Sequence, residues 1–325
     1  MGAATSRFIP AQCTFLVPSD SGQPSDSQKK QSADRPESEG ESNHHRKEWL
    51  GPSVPSPMAT QHMNKQDDPI TRAFLGQAMK VHSWIGPGLD EEIYHQELVS
   101  RLTAAGIEHL SKPRRDLVYR GHVADTFEPD FVIGNHFIPE LKCLRGGYAP
   151  EHLLQLFCYC KFWRLRIGML MDFGKESLSW RRHIYRSKTS RLPTLKLPSF
   201  IQEPALAMHL LGLVRECLAE TGLGYRETTW KGLVIAALLA GGHEIIQHPS
   251  ADVGSRGVHS MRCLVVDQTC AISVTALTDG LGAADRAALQ TRLRWLGLEW
   301  GLLLHFGKNT ADAQFVRAPT GRSIQ

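Results

Sequence analysis

Asp130 is followed ten residues later by Glu140 and two beyond that by Lys142, so two carboxylates and an ammonium fall within one short stretch. Hydrolysing a phosphodiester with a divalent ion needs clustered oxygen ligands, a positioned water, and a cation near the charge that develops on phosphorus. Asp130 and Glu140 supply the ligands, and Lys142 supplies the cation. A bound ion would lower the pKa of its water, while Lys142 steadies the nucleophile or the phosphoryl oxygens. The spacing alone arises by chance at about one in two hundred per Asp, so its surroundings must decide. Glu140 stands in the run Phe137-Ile138-Pro139-Glu140-Leu141, where an unpaired carboxylate would be costly to bury.

Positioning these groups requires two neighbouring strands. Residues 127–133 and 137–141 read as strands joined by a turn at Gly134-Asn135, with a further short strand at 117–119. Glu140 and Lys142, two apart on a strand, project from one face. Upstream, Phe74, Ala78, Val81 and Ile85 recur at helical spacing and Gly86-Pro87-Gly88 ends the pattern. A second helix over 90–104 opens on three acidic residues that suit a helix N-terminus. Downstream come an amphipathic helix over 152–164, a buried strand over 166–173 and an edge strand over 177–185. The order α-α-β-β-β-α-β-β predicts an α/β architecture with a mostly covered, mixed sheet.

These elements offer further candidates. Glu91 could add a third carboxylate to a metal site, or be no more than a helix-start acid. Tyr94, one turn on, could contact the substrate. Gln155 and Tyr159, four apart on one helix face, could contact phosphate or base, or form a helix rim with a buried Tyr. Lys161, Arg164 and Arg166, then Arg181, Arg182, Arg186, Lys188 and Arg191, could neutralise backbone phosphates, or be a solvated rim and a charged linker.

Composition sets the outer bounds. The 325 residues suffice for two ordinary domains, and the net charge of +4 is compatible with a polyanionic partner without demanding one. Seven cysteines with no C-x-x-C pair point to reduced, structural thiols. No apolar run approaches the ~18 residues of a membrane span and no signal-peptide core opens the chain, so a cytoplasmic protein is expected. Residues 18–57 are poor in aliphatic side chains and are expected to be disordered, within an N-terminal extension over 1–65. The His44-His45 pair there reads as incidental.

The chain also resembles itself. Residues 166–175 line up with 299–308 at a shift of 133, with Gly168, Leu170, Phe173, Gly174 and Lys175 finding identical partners. Gly88-x-x-Glu91-x-x-Tyr94 matches Gly224-x-x-Glu227-x-x-Trp230 at a shift of 136. A diverged duplicate is the reading, with a first domain over 66–186, a linker over 187–203, a second copy over 204–318 and a tail over 319–325. At the shift of 133, Asp130, Glu140, Lys142, Gln155 and Tyr159 become Cys263, Ser273, Thr275, Ala288 and Arg292. The second copy is therefore expected to be inactive and to pack on the first as a pseudo-dimer.

Gly86 to Tyr94, Pro129-Asp130, Glu140-Leu-Lys142, His152 with Gln155 and Tyr159, and Gly168 to Gly174 together resemble the small bacterial GxxExxY proteins of the PD-(D/E)XK nuclease superfamily. The likeness covers roughly residues 70–185. It implies the superfamily's restriction-endonuclease-like αβββαβ core, a Mg²⁺ or Mn²⁺ site and nuclease-like activity on nucleic acid. Gln155-x-x-x-Tyr159 looks like the Q-x-x-x-Y motif of its RecB-like nucleases. Two other readings stay open: a nucleic-acid-binding or scaffolding protein with a residual site, and an unrelated α/β protein whose motifs arose by chance.

Overall fold

Helix α1 (Pro69–Ile85) starts where Asp68 accepts the Ile70 N–H at 3.2 Å and Pro69 fills a position that needs no donor. It ends at Gly86, whose φ of 80° only glycine adopts without strain. The structure is a computed structural model, described here for residues 68–278 and 280–319. The N-terminal extension, with the His44-His45 pair, lies outside those residues, as does most of the tail.

Helix α2 (Glu91–Ala104) follows, then strands β1 (Leu110–Ser111), β2 (Arg115–Tyr119), β3 (His122–Phe127), β4 (Phe131–Val132) and β5 (Ile138–Lys142). Helix α3 (Pro150–Phe162) leads to β6 (Ile167–Asp172) and β7 (Ser179–Ile184). Strand β5 pairs parallel with β6, which pairs antiparallel with β7. The sheet is mixed, as expected. The outline expected from sequence differs between residues 110 and 133: β1 is an added short strand, the segment read as a single strand over 127–133 is divided between the end of β3 and β4, and β2 and β3 form a separate hairpin. That hairpin turns on Arg120 and Gly121, both at positive φ, a turn conformation more often announced by Asn-Gly.

The apolar spacing of α1 and α2 buries Phe74, Ala78, Val81, Leu98 and Leu102 on one face of the sheet, against Phe131, Met169 and Phe173. Helix α3 covers the other face. There Gly168 lets the helix settle on the sheet, since a Cβ would lie 2.6 Å from Leu156 Cγ and 2.9 Å from Cys160 Sγ.

The second half repeats this order element for element: α4 (Pro204–Thr221), α5 (Glu227–Ala240), β8 (Ile245–Ile246), β9 (Ser250–Asp252), β10 (Val258–Ser260), β11 (Leu264–Val266), β12 (Cys270–Ala276), α6 (Ala283–Leu296), β13 (Trp300–Phe306) and β14 (Ala311–Arg317). Its five-stranded sheet has the order β14-β13-β12-β11-β8, with β12 parallel to β13 and β13 antiparallel to β14. Details recur at the same offsets. Gly301 lies beneath Leu289 and Leu293 as Gly168 lies beneath Leu156 and Cys160. Trp230 stacks on Phe306 at 3.7 Å where Tyr94 packs on Phe173 at 5.0 Å. Gly222 and Gly224 take positive φ as Gly86 and Gly88 do.

The halves are not separate bodies. One core contains Phe127, Tyr159 and Cys160 together with Tyr225, Trp230 and Leu233, and the segment between the halves adds Leu192 and Ile201 to it. Helix α5 lies against β3, where Gly232 leaves no room for a Cβ beside the Ala124 carbonyl. Among the described residues no helix is long and apolar enough to cross a membrane.

Candidate active site

Strands β4 and β5 meet only at the bridge Ile133–Phe137, beside the Gly134-Asn135 turn. In the register that this bridge sets, the next hydrogen-bonded pair would be Phe131 with Pro139. Pro139 has no N–H to give, so the ladder stops and the strands part. In the second half Ile272 holds that place, and β11 pairs with β12 through Leu264–Ile272. The gap beside Pro139 is where the carboxylates gather.

Leu141 N–H, deprived of a strand partner, donates to Asp130 Oδ2 at 2.7 Å. Asp130 N–H points to Glu140 Oε2 at 3.4 Å. Lys142 Nζ donates to Glu140 Oε1 at 2.9 Å and to the Leu141 carbonyl at 2.7 Å. Glu140 is 3% exposed, so this arrangement is set in low dielectric. Burial and the Asp130 charge push the Glu140 carboxyl well above the usual range, against the pull of Lys142. Burial alone would lower the Lys142 ammonium, but Glu140, Glu91 and Asp130 outweigh it and hold it above its ordinary value. The two directions have different leading causes: burial at Glu140, with the Asp130 charge adding to it, and the surrounding carboxylates at Lys142.

Glu91 opens α2. Burial raises its carboxyl, Lys142 lowers it and Asp130 raises it, which places it within electrostatic reach of both. Among the described residues, however, no three His, Cys, Asp or Glu side chains stand grouped closely enough to hold an ion; Asp130 and Glu140 meet as a pair, through the Asp130 N–H.

Gln155 and Tyr159 meet each other, Gln155 Nε2 donating to Tyr159 Oη at 2.9 Å, and Tyr159 donates on to the Glu128 carbonyl at 3.1 Å. They thereby fasten the turn that carries Asp130 to helix α3. Arg181 faces the site. It pairs with Leu170, which pairs with Glu140, so the three side chains share one face of the sheet, and its guanidinium lies 5.6 Å from the Tyr148 ring. Arg182 pairs with Met169 and stands on the opposite face.

Two of the substrate contacts expected from sequence are placed elsewhere. Tyr94 is wholly buried, its hydroxyl donating to Gly86 O at 2.7 Å and accepting from Leu89 N–H at 3.1 Å, so it fastens the Gly86-Pro-Gly turn. Lys161 donates to the carbonyls of Gly222 and Leu223, each at 2.6 Å, and lies 4.2 Å from the Tyr225 ring. It joins the halves. Arg164, at positive φ just past α3, is near enough for its charge to act on Tyr225.

Burial pushes Lys161 down to about 7. A lysine with its folded pKa below the unfolded value stabilises the fold more as pH rises from about 7 toward the ordinary lysine range. Lys161→Met is therefore expected to cost about 2 kcal/mol in urea unfolding at pH 9.5, through two orphaned carbonyls, and less at pH 7. An equal cost at both values would show that Lys161 is not charge-strained.

Residues not singled out from sequence complete the surroundings. His95, one turn after Glu91, stacks on Phe131 at 4.4 Å, meets Ser111 Oγ through Nε2 at 2.8 Å and brings Nδ1 to 4.0 Å from Asp130 Oδ1. Burial lowers its pKa, favouring the neutral ring. Lys112, ion-paired with Glu92, donates its backbone N–H to Asp130 O at 2.9 Å. Asp172 accepts from Leu144 and Gly174 N–H, both at 3.0 Å, and Lys175 donates to the carbonyls of 144–146, so the loop after Lys142 is laced in place. Of these, only His95 had a readable signal, its helical offset of four from Glu91.

Compared with known families, residues 68–183 stand out. They match the model of the PD-(D/E)XK nuclease superfamily. The match runs from the N-cap of α1 almost to the end of β7 and contains Asp130, Glu140 and Lys142. Nucleases of this superfamily generally use divalent metals and act on nucleic acid. Comparison with curated proteins and with solved structures gives no match.

Proposed function

We propose that the first half hydrolyses nucleic-acid phosphodiester bonds with Mg²⁺ or Mn²⁺ held by Asp130 and Glu140, and by Glu91 once its carboxylate is drawn in. The observation that carries this reading is the meeting of Asp130 with the buried Glu140 and its partner Lys142 in the gap that Pro139 opens. Burial and the neighbouring Asp130 charge both oppose an ionised Glu140, and a divalent cation bound between the two carboxylates would favour their ionised forms. A bound ion supplies a water of lowered pKa and a Lewis-acid contact for a phosphoryl oxygen.

The chain's own residues do the rest. Lys142 presents the ammonium that stabilises charge developing on the phosphoryl oxygens. Leu141 N–H fixes one oxygen of Asp130, and Tyr159 with Gln155 fixes the turn before it, so neither carboxylate must be ordered during the reaction. Arg181, about 10 Å across two strand spacings from Glu140, suits a neighbouring phosphate of the same strand.

The repeated order of elements supports a tandem duplication of a GxxExxY-type unit, its second copy lacking Asp130, Glu140 and Lys142 equivalents. The strand register supports the same correspondence, since Glu140–Leu170 and Ser273–Leu303 are matching pairs. One active site per chain follows.

The full chain incubated with labelled single- and double-stranded DNA and RNA is expected to cleave at least one of them with Mg²⁺ or Mn²⁺ and to stop with EDTA. EDTA-resistant cleavage would exclude the metal, and no cleavage of any substrate would favour a binding role. Pro139→Ile tests the gap itself. By restoring a ladder donor it is expected to hold or raise the melting temperature while slowing cleavage about a hundredfold, the scale of a small misplacement of catalytic groups. Unchanged cleavage would show that the strands do not need to part.

A further inference from the structure

We infer that the second half holds an anion site for a phosphate of the nucleic acid, at the place where the first half gathers its carboxylates. The inference rests on the nucleic-acid reading above and on the correspondence of the halves. Strand register fixes that correspondence: Cys263 precedes β11 as Asp130 precedes β4, Ser273 pairs with Leu303 as Glu140 pairs with Leu170, and Glu227 opens α5 as Glu91 opens α2.

At these positions charge is not merely lost; it changes sign. Asp130 becomes Cys263, Glu140 becomes Ser273, His95 becomes Lys231 and Tyr159 becomes Arg292. Arg292 on α6 reaches across and donates Nη1 to Ser273 Oγ at 3.0 Å. Ser273 is only 6% exposed, so the guanidinium is seated on the sheet rather than waving in solvent. Lys231 comes from α5, on the other face. Burial raises the Cys263 thiol, and the charges of Arg292 and Lys231 both pull against that rise, so both lie within electrostatic reach of it.

Neither Arg292 nor Lys231 has a carboxylate partner among the described residues, and Glu227 is exposed. Thr275, beside Ser273 on the same face, keeps its hydroxyl on His305 Nδ1 at 3.0 Å and adds no negative charge. With β11 and β12 zipped at Leu264–Ile272 there is no gap for a metal. There remains a partly exposed guanidinium with donors beyond the one Ser273 uses, an ammonium nearby and a buried hydroxyl, a donor set that fits a phosphodiester oxygen pair.

The test uses the full chain carrying Arg292→Gln and Lys231→Gln, since glutamine keeps a donor for Ser273 and protects the fold. Anisotropy of a labelled 20-nucleotide single strand in EDTA is expected to show about tenfold weaker binding, with the salt slope shallower by about 0.7, one single-strand phosphate contact. A control with exposed Arg256→Gln and Lys308→Gln should change affinity less than twofold. Equal losses in the two pairs, or none in the first, overturn the inference. Inorganic phosphate separates the site from the nucleic-acid reading: millimolar phosphate should raise the melting temperature of the native chain and not of the Arg292/Lys231 variant. If the chain binds no nucleic acid but this phosphate effect is present, the anion site stands and the substrate reading falls. If both are absent, the inference falls too.

Discussion

Replacing Lys142 with methionine is expected to slow phosphodiester cleavage about a thousandfold, roughly 4 kcal/mol of barrier, while substrate binding in EDTA stays within a few fold. The ammonium is held by Glu140 Oε1 and the Leu141 carbonyl, so it is already placed and loses little entropy when the reaction needs it. Methionine matches the length of the stem but cannot answer charge on phosphorus. Removing the ammonium also leaves Glu140 buried without its ion pair, so the variant should melt at a lower temperature without metal. Added Mn²⁺ should restore much of that stability and little of the rate. Single-turnover cleavage measured beside thermal melting separates the two effects. A variant that cleaves as the native chain does would remove Lys142 from the chemistry.

The second large effect is expected at Glu140. Glutamine there keeps the shape and the contact with Asp130 N–H, and relieves the burial of a carboxylate beside another. The apo protein should therefore melt no lower than the native one. Divalent metal tells them apart. At a metal concentration about a hundred times its dissociation constant the native chain gains about 2.7 kcal/mol by mass action, and the Glu140→Gln chain should gain little of this. Cleavage should fall at least a thousandfold with it. If Glu140→Gln keeps the metal-induced rise in melting temperature, the ion is held elsewhere.

The sequence allowed the three central residues and most of the sheet to be read because those signals are local. Strand β6 is a continuous apolar run, α1 shows its buried stripe, and Glu140 and Lys142 share a face by strand geometry alone. The hairpin over β2 and β3 was hidden because Arg120-Gly121 is a poor turn signature, although its φ values are those of a tight hairpin. The place of Lys161 is not legible for a different reason. Its acceptors, the Gly222 and Leu223 carbonyls, are some sixty residues away, and no pattern in a single sequence announces a contact of that range. The place of Tyr94 is not legible either, because a phenol in an acidic helix start is as well suited to a ligand as to a turn, and only burial shows that it fastens the turn. Pro139 is the instructive case. It stood in view between Ile138 and Glu140, yet its consequence depends on which strand it would have faced.

The two halves bear the same lesson. The matching glycines and aromatics of the two halves are legible in the sequence because packing a helix on a sheet sets the same demand in each half, as Gly168 and Gly301 show. The differences at the site positions were legible too. What the sequence could not convey was that Arg292 lands on Ser273.

The most direct test of the account is cleavage of labelled single- and double-stranded DNA and RNA by the full chain in Mg²⁺ or Mn²⁺, run beside Asp130→Ala and Lys142→Ala. The account predicts metal-dependent cleavage by the native chain and its loss in both variants. Cleavage that survives both substitutions would contradict it.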